Sequence, residues 1–167
     1  MIVTLTEKDV QADKHLAMVA RQRKLLADLD YKREIARLRA RGYTQTDIAQ
    51  WTGLAQSTIA VTEEVPEIVP GFSGATPLEI AQRYAAGFID RDQLVDELGR
   101  FPYVPQDRLN PADPFDFTLY TDGSWDDIAT ASYLGLIDDD TYRAVLDAYV
   151  AYIEAGKAVA QADKLTV

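Results

Sequence analysis

The sequence predicts an all-α protein, with an N-terminal helical unit followed by two repeated helical hairpins. Residues 6–30 contain neither Gly nor Pro. A twenty-residue string in the second half matches another lying 48 positions further on, without a gap. Throughout, apolar residues recur at three- and four-residue spacings between Thr, Ser or Asp starts and Gly stops, the punctuation of helices.

The elements follow in order. Thr6, with Asp9 three later, is an N-cap for a long helix to about Asp30. Its apolar set (Val10, Ala17, Met18, Leu25, Leu26, Leu29) predicts one buried stripe. Asp30 is expected to cap a second helix, residues 31–41, with Ile35 and Leu38 on one face and Gly42 at its C′ position. Thr44 with Asp47 starts a short helix, Gln45–Thr52; Gly53 breaks it and another begins near Gln56, running to about residue 63. Residues 65–78 read as a linker or irregular packing segment.

Beyond it lies the repeat, residues 79–98 against residues 127–146. Ile80/Ile128, Ala81/Ala129, Gly87/Gly135, Ile89/Ile137, Asp90/Asp138, Asp92/Asp140 and Leu98/Leu146 are identical pairs. Each copy reads helix, Gly, apolar pair, Asp cap, helix, and each has a capping pair at its start: Thr76 with Glu79, Ser124 with Asp127. Two copies predict either pseudo-symmetric packing or two small units, too few for a solenoid. Between them, Phe101, Tyr103, Phe115, Phe117 and Tyr120 are expected to pack onto the hairpins. Residues 141–160 carry Tyr142, Val145, Leu146, Tyr149, Val150 and Ile153 at helical spacing, a stripe that serves either the chain's own core or a dimer seam.

Composition narrows the function. At 167 residues, 47% hydrophobic and 26% charged, the chain has the balance of a soluble globular protein of one domain or two small ones. It has no cysteine, which excludes disulfides, thiolate nucleophiles and Cys-based zinc sites. Its one histidine, His15, excludes multi-His metal sites. No run reaches the roughly 18 apolar residues of a membrane span, and the start does not pattern as a secretory signal. A cytoplasmic protein without membrane partner, metal or cofactor is expected. The Asp138-Asp139-Asp140 run is explained by capping and the helix dipole. With no Gly-rich phosphate loop, nucleophile elbow or paired-acid signature, no enzymatic activity is expected.

The net charge of −10 argues against nucleic acid until it is divided. Residues 1–64 hold 10 Lys and Arg against 9 Asp and Glu, whereas residues 65–167 hold 7 against 18. Residues 21–41 alone hold 8 basic against 3 acidic side chains. Such asymmetry suggests two different partners.

Read from Gln45, the string QTDIAQWTGLAQSTIAV resembles the helix-turn-helix of Cro-like and Xre-like phage and bacterial regulators. Ala49, Gly53 and Ile59 hold the small fifth, Gly ninth and apolar fifteenth positions of that motif, and Ile48 and Leu54 the apolar fourth and tenth. The resemblance covers residues 31–64, and Thr52 and Thr62 stand where larger apolar residues are usual. It implies a sequence-specific DNA-binding repressor, acting as a homodimer on double-stranded operator DNA. Gln56, Ser57 and Thr58 would then read bases or phosphate, and Gln45, Thr46, Arg41 and Arg37 would contact phosphates. Arg33 and the Arg21–Lys24 cluster would add backbone contacts. Regulators of this kind include phage repressors and the antitoxins of toxin–antitoxin pairs. The expected organisation is a DNA-binding unit over residues 1–64, a linker over 65–78, and an acidic region over 79–167 that takes a protein partner such as a toxin. The alternative is a protein-binding adaptor or inhibitor whose helix-turn-helix is structural, a reading that Glu63-Glu64 and the acidic half favour.

Overall fold

A computed structural model describes residues 6–60, 65–105 and 122–165. Thr62, Glu63-Glu64, Phe115, Phe117 and Tyr120 lie outside the described residues. Among those described the chain is all-α, with seven helices and no strand. It divides into two compact units, residues 1–67 and 68–167. None of the described helices is long and apolar enough to cross a membrane.

The first unit holds α1 (Glu7–Ala40), α2 (Gln45–Thr52) and α3 (Gln56–Ala60). Helix α1 starts at a capping box in which the Asp9 N–H donates to Thr6 Oγ1 and the Asp9 carboxylate accepts from the Thr6 N–H. It then runs for 34 residues without a break, so the second start expected at Asp30 does not exist. The Asp30 carboxylate pairs with Arg33, one turn on at 3.2 Å, instead of capping a backbone N–H, and nothing between residues 7 and 40 interrupts helical hydrogen bonding. The buried stripe is also corrected: Leu26 is buried, but Val10, Ala17 and Leu25 are exposed, as is His15. At about 100° per residue Val10 and Ala17 fall opposite Leu26, so the six residues never shared a face.

The second unit holds α4 (Pro77–Ala85), α5 (Arg91–Gly99), α6 (Asp126–Tyr133) and α7 (Asp139–Leu165). The repeat is a structural one. Helix α4 packs on its counterpart α6, and α5 on its counterpart α7. Both hairpins turn at a glycine with positive φ, Gly87 at 78° and Gly135 at 69°. In each, the next residue donates to the carbonyl five back, Phe88 to Arg83 and Leu136 to Ala131. A side chain at either glycine would strain that left-handed conformation. Asp90 and Asp138 cap the second helices identically, each accepting a backbone N–H three residues on at 2.8 Å.

The core between the hairpins is formed by eleven buried residues, among them Ile80, Leu94, Leu98, Ile128 and Val145. Phe101 is one of the eleven and Tyr103 packs against them, edge-on or tilted against Phe101, Trp125 and Tyr149. Burial, then the Tyr149 and Asp127 charges, push the Tyr103 hydroxyl well above the usual phenol range; it donates to the Leu98 carbonyl at 2.8 Å.

From Ile68 onward the expected linker is part of this packing. Val69 and Phe72 lie against the core. The buried Glu97 carboxylate accepts from both the N–H and the hydroxyl of Ser73, at 2.7 Å each. Buried Glu79 accepts from the Ala75 N–H at 2.9 Å and pairs with Arg83 at 2.8 Å. The capping pair expected at Ser124 and Asp127 is not formed: Trp125 is the N-cap and makes no side-chain cap bond. Asp127 is fully buried and accepts instead from the N–H groups of Gly123 (3.1 Å) and Leu78 (3.4 Å). Glu79 and Asp127 are repeat equivalents, and each takes the N–H four residues earlier.

Candidate nucleic-acid interface

The interface is built on a small core. Ile35 of α1, Ile48 of α2 and Ile59 of α3 are buried together, with Leu38, Ala49 and Leu54 against them. Thr44 and Asp47 form a reciprocal capping box that fixes where α2 begins. Gly53, at φ 71°, ends it, and its N–H donates to the Ala49 carbonyl at 2.8 Å. That left-handed conformation is why a glycine stands between the two helices.

Thr52 replaces an apolar contact with polar ones. Its hydroxyl donates to the Ile48 carbonyl at 2.6 Å and accepts from the Leu54 N–H at 3.4 Å. Its own carbonyl accepts from the Tyr31 hydroxyl at 3.0 Å, tying the turn to α1.

Two sequence-predicted residues are joined directly. The Gln56 amide donates to the Thr46 hydroxyl at 3.1 Å, so the first residue of α3 meets the second of α2 at the surface. One of the two amide N–H donors is used in that bond. Gln45, Ser57 and Thr58 are exposed beside them in sequence.

The basic candidates differ in availability. Arg41 is exposed, its guanidinium 6.0 Å from the centre of the Tyr43 ring. Arg37 is held by Glu34 through two hydrogen bonds, one of 2.8 Å from Nε. That bonding, reinforced by the charges, raises the Arg37 guanidinium and holds the Glu34 carboxyl below its usual range. Arg33, expected to contact a DNA backbone, is turned inward: it is 14% exposed and donates to the Pro66 carbonyl at 2.9 Å. Arg39 donates to the Ile59 carbonyl at 3.4 Å. The basic stretch therefore holds the unit together as much as it presents charge.

An exposed aromatic pair brackets α2, outside the motif positions. Tyr43 and Trp51 meet edge to face, centroids 5.0 Å apart, beside Arg41. They stand eight residues apart, a spacing that becomes a contact only because Thr44 fixes the start of α2. Trp51 is 57% exposed even with Tyr43 against it.

The fold thus defines an all-α chain whose first unit carries two short helices joined at a glycine turn, with polar side chains at their starts. Compared with protein-family models, curated proteins and solved structures, the chain matches none.

Proposed function

We propose that the chain is a sequence-specific DNA-binding regulator, a repressor whose acidic second unit takes a protein partner as antitoxins do. The observation that carries this is the Gln56–Thr46 bond: it fixes the starts of α2 and α3 side by side, the ends such motifs turn toward DNA. In this reading α3 enters the major groove. Gln56 pairs with an adenine edge, and Ser57 and Thr58 reach bases or phosphate. Gln45 and Thr46 contact the backbone, as does Arg41; Arg37 joins them only by exchanging Glu34 for a phosphate. Two copies on half-sites one helical turn apart would give useful affinity from so few cations. No catalytic step is assigned.

A salt-titrated mobility-shift assay on duplexes selected from a random library tests this. Gln56→Ala is expected to cost about 1–3 kcal/mol and relax preference at one base position; Arg41→Ala is expected to weaken binding uniformly and lower the salt slope by about 1. Absence of any shift at low salt overturns the proposal, as does a shift indifferent to both substitutions. The exposed Tyr43–Trp51 pair favours a second reading, a protein-binding adaptor with a structural helix-turn-helix. There, Trp51→Ala abolishes complex formation while DNA is never bound.

A further inference from the structure

The two repeat copies differ in one respect that packing does not explain. Leu98 is fully buried, whereas its equivalent Leu146 is 39% exposed. After α5 the chain leaves its helix, and Phe101 and Tyr103 join the core. Helix α7 instead runs on to Leu165. Its residues Val145, Tyr142 and Tyr149 serve the core, but Leu146, Val150 (46% exposed) and Ile153 (36%) form an uncovered stripe at i, i+4 and i+7. One turn upstream of Leu146, a cleft of about 580 Å³ lies between α6 and α7, its walls including Tyr133, Tyr142 and Arg143. Alongside it, at successive spacings of seven, run the exposed acids Asp140, Asp147 and Glu154. On a helix this is an apolar seam with an acidic edge.

We propose that this face seats an amphipathic helix of another protein, with Leu- or Ile-type residues at three- and four-residue spacing and Lys or Arg along one edge. Charge complementarity selects that occupant over a second copy of this chain. The stripe positions bracketing the apolar trio are Arg143 and Lys157. In a parallel pair each would face its own copy. In an antiparallel pair centred on Val150 they would face each other, cation against cation. Antiparallel pairing also sets the acidic edge against itself, and parallel pairing sets it against the side of Tyr142 and Tyr149. A basic-edged helix meets the acids with opposite charge, in the helix-in-groove mode.

This assignment rests on the partner-binding half of the proposed function and is independent of its DNA-binding half. The test uses the full chain and two fluorescent 21-residue helical peptides sharing one Leu/Ile seam, edged with Lys in one and Glu in the other. Anisotropy is expected to show the Lys peptide binding at least about fivefold tighter. Asp147→Lys with Glu154→Lys is expected to invert that preference, and Val150→Asp with Ile153→Asp to abolish binding of both. These side chains are exposed, and an unchanged helical circular dichroism spectrum verifies each fold. Failure of the Lys-edged peptide to bind overturns the proposal, as does a preference unmoved by the charge swap. A dimer in solution that the Val150/Ile153 pair dissolves also overturns it, since a second copy then covers the face. A parallel DNA shift with the same variants is expected to be unchanged. Loss of that shift in the wild type condemns the DNA reading alone.

Discussion

The two units solve the same problem at different scales. Among the described residues the first buries three isoleucines together, and the second eleven residues with a cluster of Phe, Tyr and Trp rings around them. The first has two short helices docked on one long one, and depends on local devices: a capping box at Thr44, a glycine at 53, and arginines spent on carbonyls and a neighbouring acid. The second has two copies of one hairpin closed on each other, and its buried acids pin the incoming segment to the core. A small core leaves most of its surface for recognition but little margin for error. A larger one is a platform from which a helix can project.

That contrast predicts the largest effect. Ile48→Ala removes a third of the buried isoleucine cluster, and such truncations cost about 2–5 kcal/mol. At about 0.05–0.15 kcal/mol per residue, a unit of this size has only a few kcal/mol to lose. The two tryptophans fall one to each unit, Trp51 and Trp125, so single-tryptophan variants report each separately. Ile48→Ala is expected to lower the Trp51 unfolding transition far more than that of Trp125, and to abolish any DNA shift. Equal displacement of both transitions would show the cores to be one cooperative unit.

The next effect belongs to the second unit. A Cβ at Gly99 would sit 2.7 Å from the Cβ of Ala148, where α5 meets α7, and neither atom is the end of a flexible chain. Gly99→Val must push the hairpins apart and is expected to cost about 1–3 kcal/mol, read at Trp125 with Trp51 nearly unmoved. Gly156 offers a control: nothing lies within reach of a Cβ there, so Gly156→Ala is expected to be neutral or slightly stabilising through helix propensity.

The same contrast explains what was legible in the sequence. Caps and stops are local chemistry, and Thr6, Thr44, Gly53, Gly87, Asp90, Gly135 and Asp138 all do what their neighbours in the chain imply. The repeat was visible as spacing, which left open whether the copies pack together or stand apart; the structure closes α4 on α6 and α5 on α7. What failed was the choice among partners that one side chain could take. Asp30 has the chemistry of a cap, yet Arg33 satisfies it within one uninterrupted helix. Ser124 and Asp127 have the spacing of a capping pair, but burial draws Asp127 to the backbone of α4, 49 residues away. At the candidate interface the sequence named Gln56 and Thr46 without their mutual bond, and counted Arg33 and Arg37 as available when the fold had engaged both. Tyr43 and Trp51 were invisible because no periodicity joins them.

The smallest predicted effect separates the units by acid. Asp47 is held below the usual carboxylate range by hydrogen bonds from the Thr44 side chain and then its backbone; Asp138 is lowered likewise by Thr141. A carboxyl whose folded value is depressed stabilises the folded state above its unfolded value, near 3.9, and loses that contribution as pH falls through the folded value. Both units are therefore expected to hold steady from pH 7 to 5 and to weaken below about 4. Asp47→Asn is expected to lessen this acid dependence at the Trp51 transition alone, Asp9 and Glu34 retaining the rest, and Asp138→Asn to lessen it at Trp125 alone. Because the first unit has the smaller core, its cap is the larger fraction of what holds it, so the acid limb at Trp51 is expected to be the steeper in proportion. An Asp47→Asn variant that flattened the Trp125 limb instead would mean that the capping box of α2 is coupled to the hairpin core, and that the two units do not unfold independently.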